Sequence, residues 1–234
     1  MVQEENSHRR MMNTWKSIFA IIAKDLQSEL RTRYALNALL MFVLTTVSII
    51  LFALRGDQPS STVLAGMFWV VVFFSAMSGL SRAFVSEEER GTALTLQLVA
   101  VSSSVYFGKL LFNVLLTLSL VFGVTIVYTI AFPGFTIQSP DIFLTTVILG
   151  SLGLASAATI IAAIIAKANS RGTLYPVLSF PILIVLLMSV MNATAKALDG
   201  EQFVDAAVDF LVLISYVMVI TAGSYLLFDY VWKD

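Results

Sequence analysis

The sequence predicts an all-α polytopic membrane protein with six transmembrane helices. Three observations carry this. Apolar residues fill 58% of the 234 positions and Asp, Glu, Lys and Arg only 12%, about half the usual globular share; mean hydropathy is +0.89. Uncharged apolar runs recur at the length of ~20 residues that a bilayer core demands. The Lys and Arg residues fall unevenly between alternate connections. Fifteen acids and fourteen bases are too few to coat a soluble domain of this size.

Taken in order, residues 1–12 read as a polar tail, followed by no apolar core of a cleavable signal peptide. Residues 13–35 read as an amphipathic helix, with Trp15, Ile18, Phe19, Ile22, Leu26 and Leu30 on one side. Lys16, Lys24, Asp25, Glu29 and Arg31 lie largely elsewhere, a pattern suited to the membrane interface. A helix packed on the soluble side is the alternative. The transmembrane domain, 36–228, comprises spans 36–54, 62–81, 110–132, 142–166, 173–191 and 208–228, with a cytoplasmic segment at 82–109 and a tail at 229–234. The fourth span carries Gly150, Gly153 and Ala157, small residues that let helices pack closely in lipid. The fifth carries Pro176 and Pro181, tolerated where neighbours satisfy the freed carbonyls; they mark either a mobile element or a static kink. Residues 91–108 are charge-free and long enough to cross. Eight of those eighteen are Gly, Ser, Thr or Gln, and crossing would reverse every later loop, so the segment is placed on the inner side.

With the N-terminus inside, the inner set of basic residues is Arg9, Arg10, Lys16, Lys24, Arg31, Arg33, Arg82, Arg90, Lys109, Lys167, Arg171 and Lys233. The outer set is Arg55 and Lys196. That bias follows the positive-inside rule and puts both termini in the cytoplasm.

The spans are read as free of Asp, Glu, Lys, Arg and His, the groups that ion-coupled transporters and voltage sensors place in the membrane. Cysteine is absent and His8 is the one histidine, so neither thiolate chemistry nor a multi-histidine metal site can be built. No P-loop, GxSxG or HExxH occurs. No catalytic residue and no metal site is assigned, and energy for uphill transport must come from a partner.

The connection after the second span reads Ser86-Glu87-Glu88-Glu89-Arg90-Gly91-Thr92. Ser86 and Glu89 have capping-box spacing, and carboxylates suit the positive end of a helix dipole. A short helix is therefore expected to start at Glu87, parallel to the membrane. It is either a solvated surface helix or a charged docking site for a partner. The outer loop is acidic, with Asp199, Glu201, Asp205 and Asp209 against the single Lys196, explained by solvation or by an extracytoplasmic partner.

The run Glu88-Glu89-Arg90-Gly91-Thr92-Ala93-Leu94, with Lys109-Leu110 downstream, resembles the E-x-G-T…G-K-L signature of ABC-2 permeases. Val101-Ser102-Ser103-Ser104 stands where that class commonly has a proline. Arg31-Thr32-Arg33-Tyr34-Ala35-Leu36-Asn37, Ser81-Arg82-Ala83-Phe84 and Leu174-Tyr175-Pro176-Val177-Leu178-Ser179-Phe180-Pro181-Ile182 are similar to the CcmB family of cytochrome c maturation permeases. The resemblance implies that Glu87, Glu88, Glu89, Arg90, Gly91 and Thr92 couple to a partner ATPase (CcmA-like). It also implies a haem-handling membrane subunit (CcmC-like), a small membrane subunit (CcmD-like), two permease copies and an inner-membrane location. The cargo would be haem, or the step would be release of a haem-loaded chaperone; a lipid, glycan or drug permease and a non-transporting scaffold are the alternatives. Haem iron is usually held by His, Cys, Met or Tyr. With His8 alone in the tail and the methionines suited to apolar filling, no stable axial site is expected.

Overall fold

The computed structural model describes residues 2–32, 34–54, 56–80, 82–166 and 171–233, without the side chains of 2–13, 32, 34–36, 38, 82, 83, 171–178 and 233. Arg33, Arg55, Ser81 and Lys167 and the side chains of His8, Arg9, Arg10, Arg82, Arg171, Pro176 and Lys233 thus lie outside the described residues.

Among the described residues the chain is helical, in the order α1 (Val2–Thr32), α2 (Tyr34–Leu54), α3 (Ser61–Leu80), α4 (Arg82–Glu89), α5 (Ala93–Val99), α6 (Ser102–Ala131), α7 (Pro140–Ala166), α8 (Arg171–Asp199) and α9 (Ala207–Lys233). A single 3-10 turn, Phe203–Ala206, leads into α9. Five stretches are long and apolar enough to cross a membrane, in α3, α6, α7, α8 and α9. The 21-residue α2 is apolar as well, but its described apolar part, Leu39–Leu54, is shorter than those five. The fold is that of an all-α, multi-pass membrane protein.

Helix α7 is the hub. It packs against α6, α8 and α9 and touches α3 and α4, and its small residues explain why. A Cβ on Gly150 would stand 2.7 Å from Trp69 and 2.9 Å from Val190; one on Gly153 would stand 2.5 Å from Leu186. Ala157 is fully buried beside them. With little hydrophobic drive between helices in lipid, such close approach gives the dispersion contact that holds the bundle. At the end of the bundle away from α4, Phe68, Trp69, Tyr128, Phe135 and Phe143 interlock edge-to-face and stacked.

Three boundaries differ from the sequence reading. Helix α1 runs back to Val2, so the stretch 1–12 is no separate tail; no Gly or Pro interrupts it. The third span begins at Ser102, not 110, because Ser102 and Ser104 turn inward and are buried. Helix α8 runs unbroken through Pro176 and Pro181 to Asp199. There Gly200, at φ +76°, closes it while Glu201 N–H bonds back to the Lys196 carbonyl, a Schellman-type end. Residues 91–108 do not form one continuous helix: Gly91 precedes α5, and the extended Ala100–Val101 pair separates it from α6.

Candidate functional site

The expected helix start at Glu87 is overturned. Glu87, Glu88 and Glu89 form the last turn of α4, not the first turn of a new helix. Gly91 takes φ +68°; its N–H bonds to the Glu88 carbonyl at 3.1 Å and Thr92 N–H to the Glu87 carbonyl at 2.9 Å. That is the Schellman pattern with glycine in the left-handed position, where other residues are strained. The Ser86–Glu89 spacing matched a capping box, but Gly91 is the stronger signal and it reads as a stop.

Three carboxylates at a helix C-terminus oppose the dipole, so cations must offset them. Glu87 is buried and takes Lys109 Nζ at 2.9 Å on its Oε1, with Lys24 on the same oxygen. Its Oε2 accepts from Thr92 Oγ1 at 2.6 Å. Burial alone would raise the Glu87 carboxyl; the Lys109 charge and hydrogen bonds from Lys24, Thr92 and Lys109 override it and hold the group at about 2. Glu87 is therefore ionised throughout the neutral range.

Lys109 is 1% exposed. Besides Glu87 it pairs with Asp25 of α1 at 2.9 Å, and its ammonium lies 5.7 Å from the Phe84 ring centre. Phe84 in turn packs on Phe228 and Trp232 at the end of α9. Gly108, just before Lys109, lets α1 approach: a Cβ there would stand 2.9 Å from Ile21. Arg90 donates to Ser28 of α1 at 3.0 Å. One ionic cluster therefore fastens the 82–92 segment to α1 and α6 together. Sequence reasoning found Glu87, Arg90 and Thr92, matched Lys109 to the permease signature but left it in a loop, and gave Lys24 and Asp25 only a place on the polar side of α1. Partners so far apart in the chain left no local signal of their pairing.

Helix α5 presents the opposite chemistry. Ala93 is buried and Gln97 donates to the Trp232 carbonyl, while Leu94, Leu98 and Val99 are 72%, 88% and 81% exposed. On α1, Ile18 and Ile21 face the bundle and Trp15, Phe19, Leu26 and Leu30 face outward.

The spans are not free of charge, correcting that expectation. Lys109 lies within α6. Asp209, inside the span placed at 208–228, is buried in the first turn of α9 and pairs with Lys196 at 2.8 Å. Around the connection between α8 and α9, Lys196 also donates to the Asp205 carbonyl, Ser61 to Asp199, and Asp205 caps the 3-10 turn. These acids are engaged within the chain. Pro181 is exposed on α8. Among the described residues, no cluster of His, Cys, Asp and Glu could hold a metal ion.

Comparison with protein-family models matches residues 16–226 to the family described as CcmB protein. No curated protein matches the chain significantly.

Proposed function

The chain belongs to the CcmB family, the membrane component of haem export for cytochrome c maturation, and from that premise we propose that it is a permease subunit driven by a separate ABC ATPase. The ATPase docks on the segment from Glu87 to Thr92 and on the outward face of α5. Nucleotide-driven movement there carries α6 with it as a rigid body. The observation that supports this most is the Lys109–Glu87 ion pair, which ties the docking segment to a spanning helix with no slack side chain between them. The acids of α4 and the exposed Leu94 and Leu98 give the partner both a charged and an apolar surface.

In this reading both termini lie in the cytoplasm of a bacterial inner membrane. Helix α1 rests in the headgroup plane with Trp15, Phe19, Leu26 and Leu30 toward lipid, and Pro176 and Pro181 make α8 a mobile element. Two permease copies work with CcmC-like and CcmD-like subunits. Haem is cargo, or the stroke releases the haem-loaded chaperone, and this chain supplies no axial ligand. Reversing Glu88 and Glu89 to Lys is expected to weaken co-purification of the ATPase while the permease accumulates normally. Undiminished co-purification would overturn the docking assignment.

A further inference from the structure

Asn113 lies one helical turn deeper than Lys109 on the same buried face of α6 and is 1% exposed. Its amide nitrogen donates to Thr159 Oγ1 of α7 at 2.8 Å, and Thr159 passes its own proton to the Ala155 carbonyl at 2.6 Å. Its amide oxygen has no partner. Whichever way the amide is turned, one end stays unmet. Its neighbours along α6, Leu110 and Val114, are buried too.

An unmet acceptor in the bilayer interior has no bulk water to turn to. Replacing both partners of a buried hydrogen bond by apolar groups of similar shape can be nearly neutral or stabilising, and here one end of the amide is unmet besides. The stability of the observed packing therefore does not account for an amide at this position. Its surroundings extend the same chemistry. Thr117, the next turn along, is buried and bonds to the Asn113 carbonyl at 2.8 Å. On α7, one turn from Thr159, Ser156 accepts from Thr221 of α9 at 3.0 Å. A polar seam thus runs from Lys109 through Asn113–Thr159 to Ser156–Thr221, across α6, α7 and α9.

We propose that Asn113 is a positioning residue that exchanges hydrogen-bond partners during the transport cycle. With α6 as observed it holds Thr159. When α6 is displaced, its unmet oxygen takes up a donor, a water or a hydroxyl of the seam, so that α6 and α7 have two settled arrangements instead of one. This rests on the reading of the chain as a driven permease.

The test compares Asn113→Leu, Thr159→Val and Asn113→Ser in the whole complex, reading thermal stability, ATPase co-purification and cytochrome c maturation in cells. Asn113→Leu, alone or with Thr159→Val, is expected to keep or raise the melting temperature and retain the ATPase, yet cut maturation about tenfold. Thr159→Val alone strands the buried amide and is expected to lower the melting temperature. Asn113→Ser, which keeps a donor and an acceptor, restores most of it. A lower melting temperature with maturation falling in step with protein level would make Asn113 a structural contact and overturn the proposal, as would wild-type maturation in Asn113→Leu. If the wild-type chain retains no ATPase, the driven-permease reading fails and this proposal with it; the other outcomes bear on Asn113 alone.

Discussion

Charge is handled differently at the two ends of the bundle. At the end carrying α4 and α5, Lys109 is 1% exposed and joins Asp25 and Glu87 from two other helices. At the opposite end, Lys196 keeps 29% of its side chain exposed and pairs with Asp209, thirteen residues along the chain. The Lys196–Asp209 pair closes one local connection between α8 and α9, with its lysine half in solvent although Asp209 is buried. The inner cluster buries charge in a lipid-adjacent site, where desolvation is costly unless every partner is present. The difference teaches that the inner cluster links elements, whereas the outer one finishes a loop.

The largest effect should come from breaking the inner cluster. Lys109→Met leaves the buried Glu87 and its neighbour Asp25 with only the part-exposed Lys24 as a cation and is expected to cost about 3 kcal/mol, read as a fall in melting temperature and loss of protein from the membrane. Adding Asp25→Asn and Glu87→Gln should recover most of the stability, since the stranded charges are gone. A single variant as stable as wild type would erase the contrast between the two ends. Gly91→Ala comes next. Its φ of +68° costs a side chain roughly 1–2 kcal/mol, measurable as lower thermal stability, and loosens the turn that presents Thr92 to Glu87. The smallest effect belongs to the Lys196–Asp209 pair: Asp209 is buried but Lys196 is part-exposed, so Lys196→Ala should cost clearly less than Lys109→Met and leave ATPase co-purification intact. A loss matching that of Lys109→Met would mean the two clusters are equivalent.

The spans were legible because a bilayer imposes a length and a composition on each helix, and both can be read locally. Their ends were less so. The three serines at 102–104 look like a loop until the fold turns Ser102 and Ser104 inward, and Lys109 was counted in that loop for the same reason. Glu87, Arg90 and Thr92 stood out as a charged, glycine-punctuated run, yet the helix direction was inverted because capping-box spacing was weighed above the glycine stop. Lys24 and Asp25 were invisible as site residues: on an amphipathic helix, a charge bound for an ion pair looks like one bound for water. Asp209 was assigned to solvent although it lay inside its own span, and only the fold brings Lys196 to it.

The central claim is that the inner cluster holds the 82–99 region as a rigid platform for a partner ATPase, with α5 facing outward. Co-purification of the ATPase with the Leu94→Asp, Leu98→Asp variant tests it most directly. Both side chains are exposed, so the permease should fold and accumulate as wild type while the ATPase is lost from it. Full retention of the ATPase on a normally folded double variant would contradict the account.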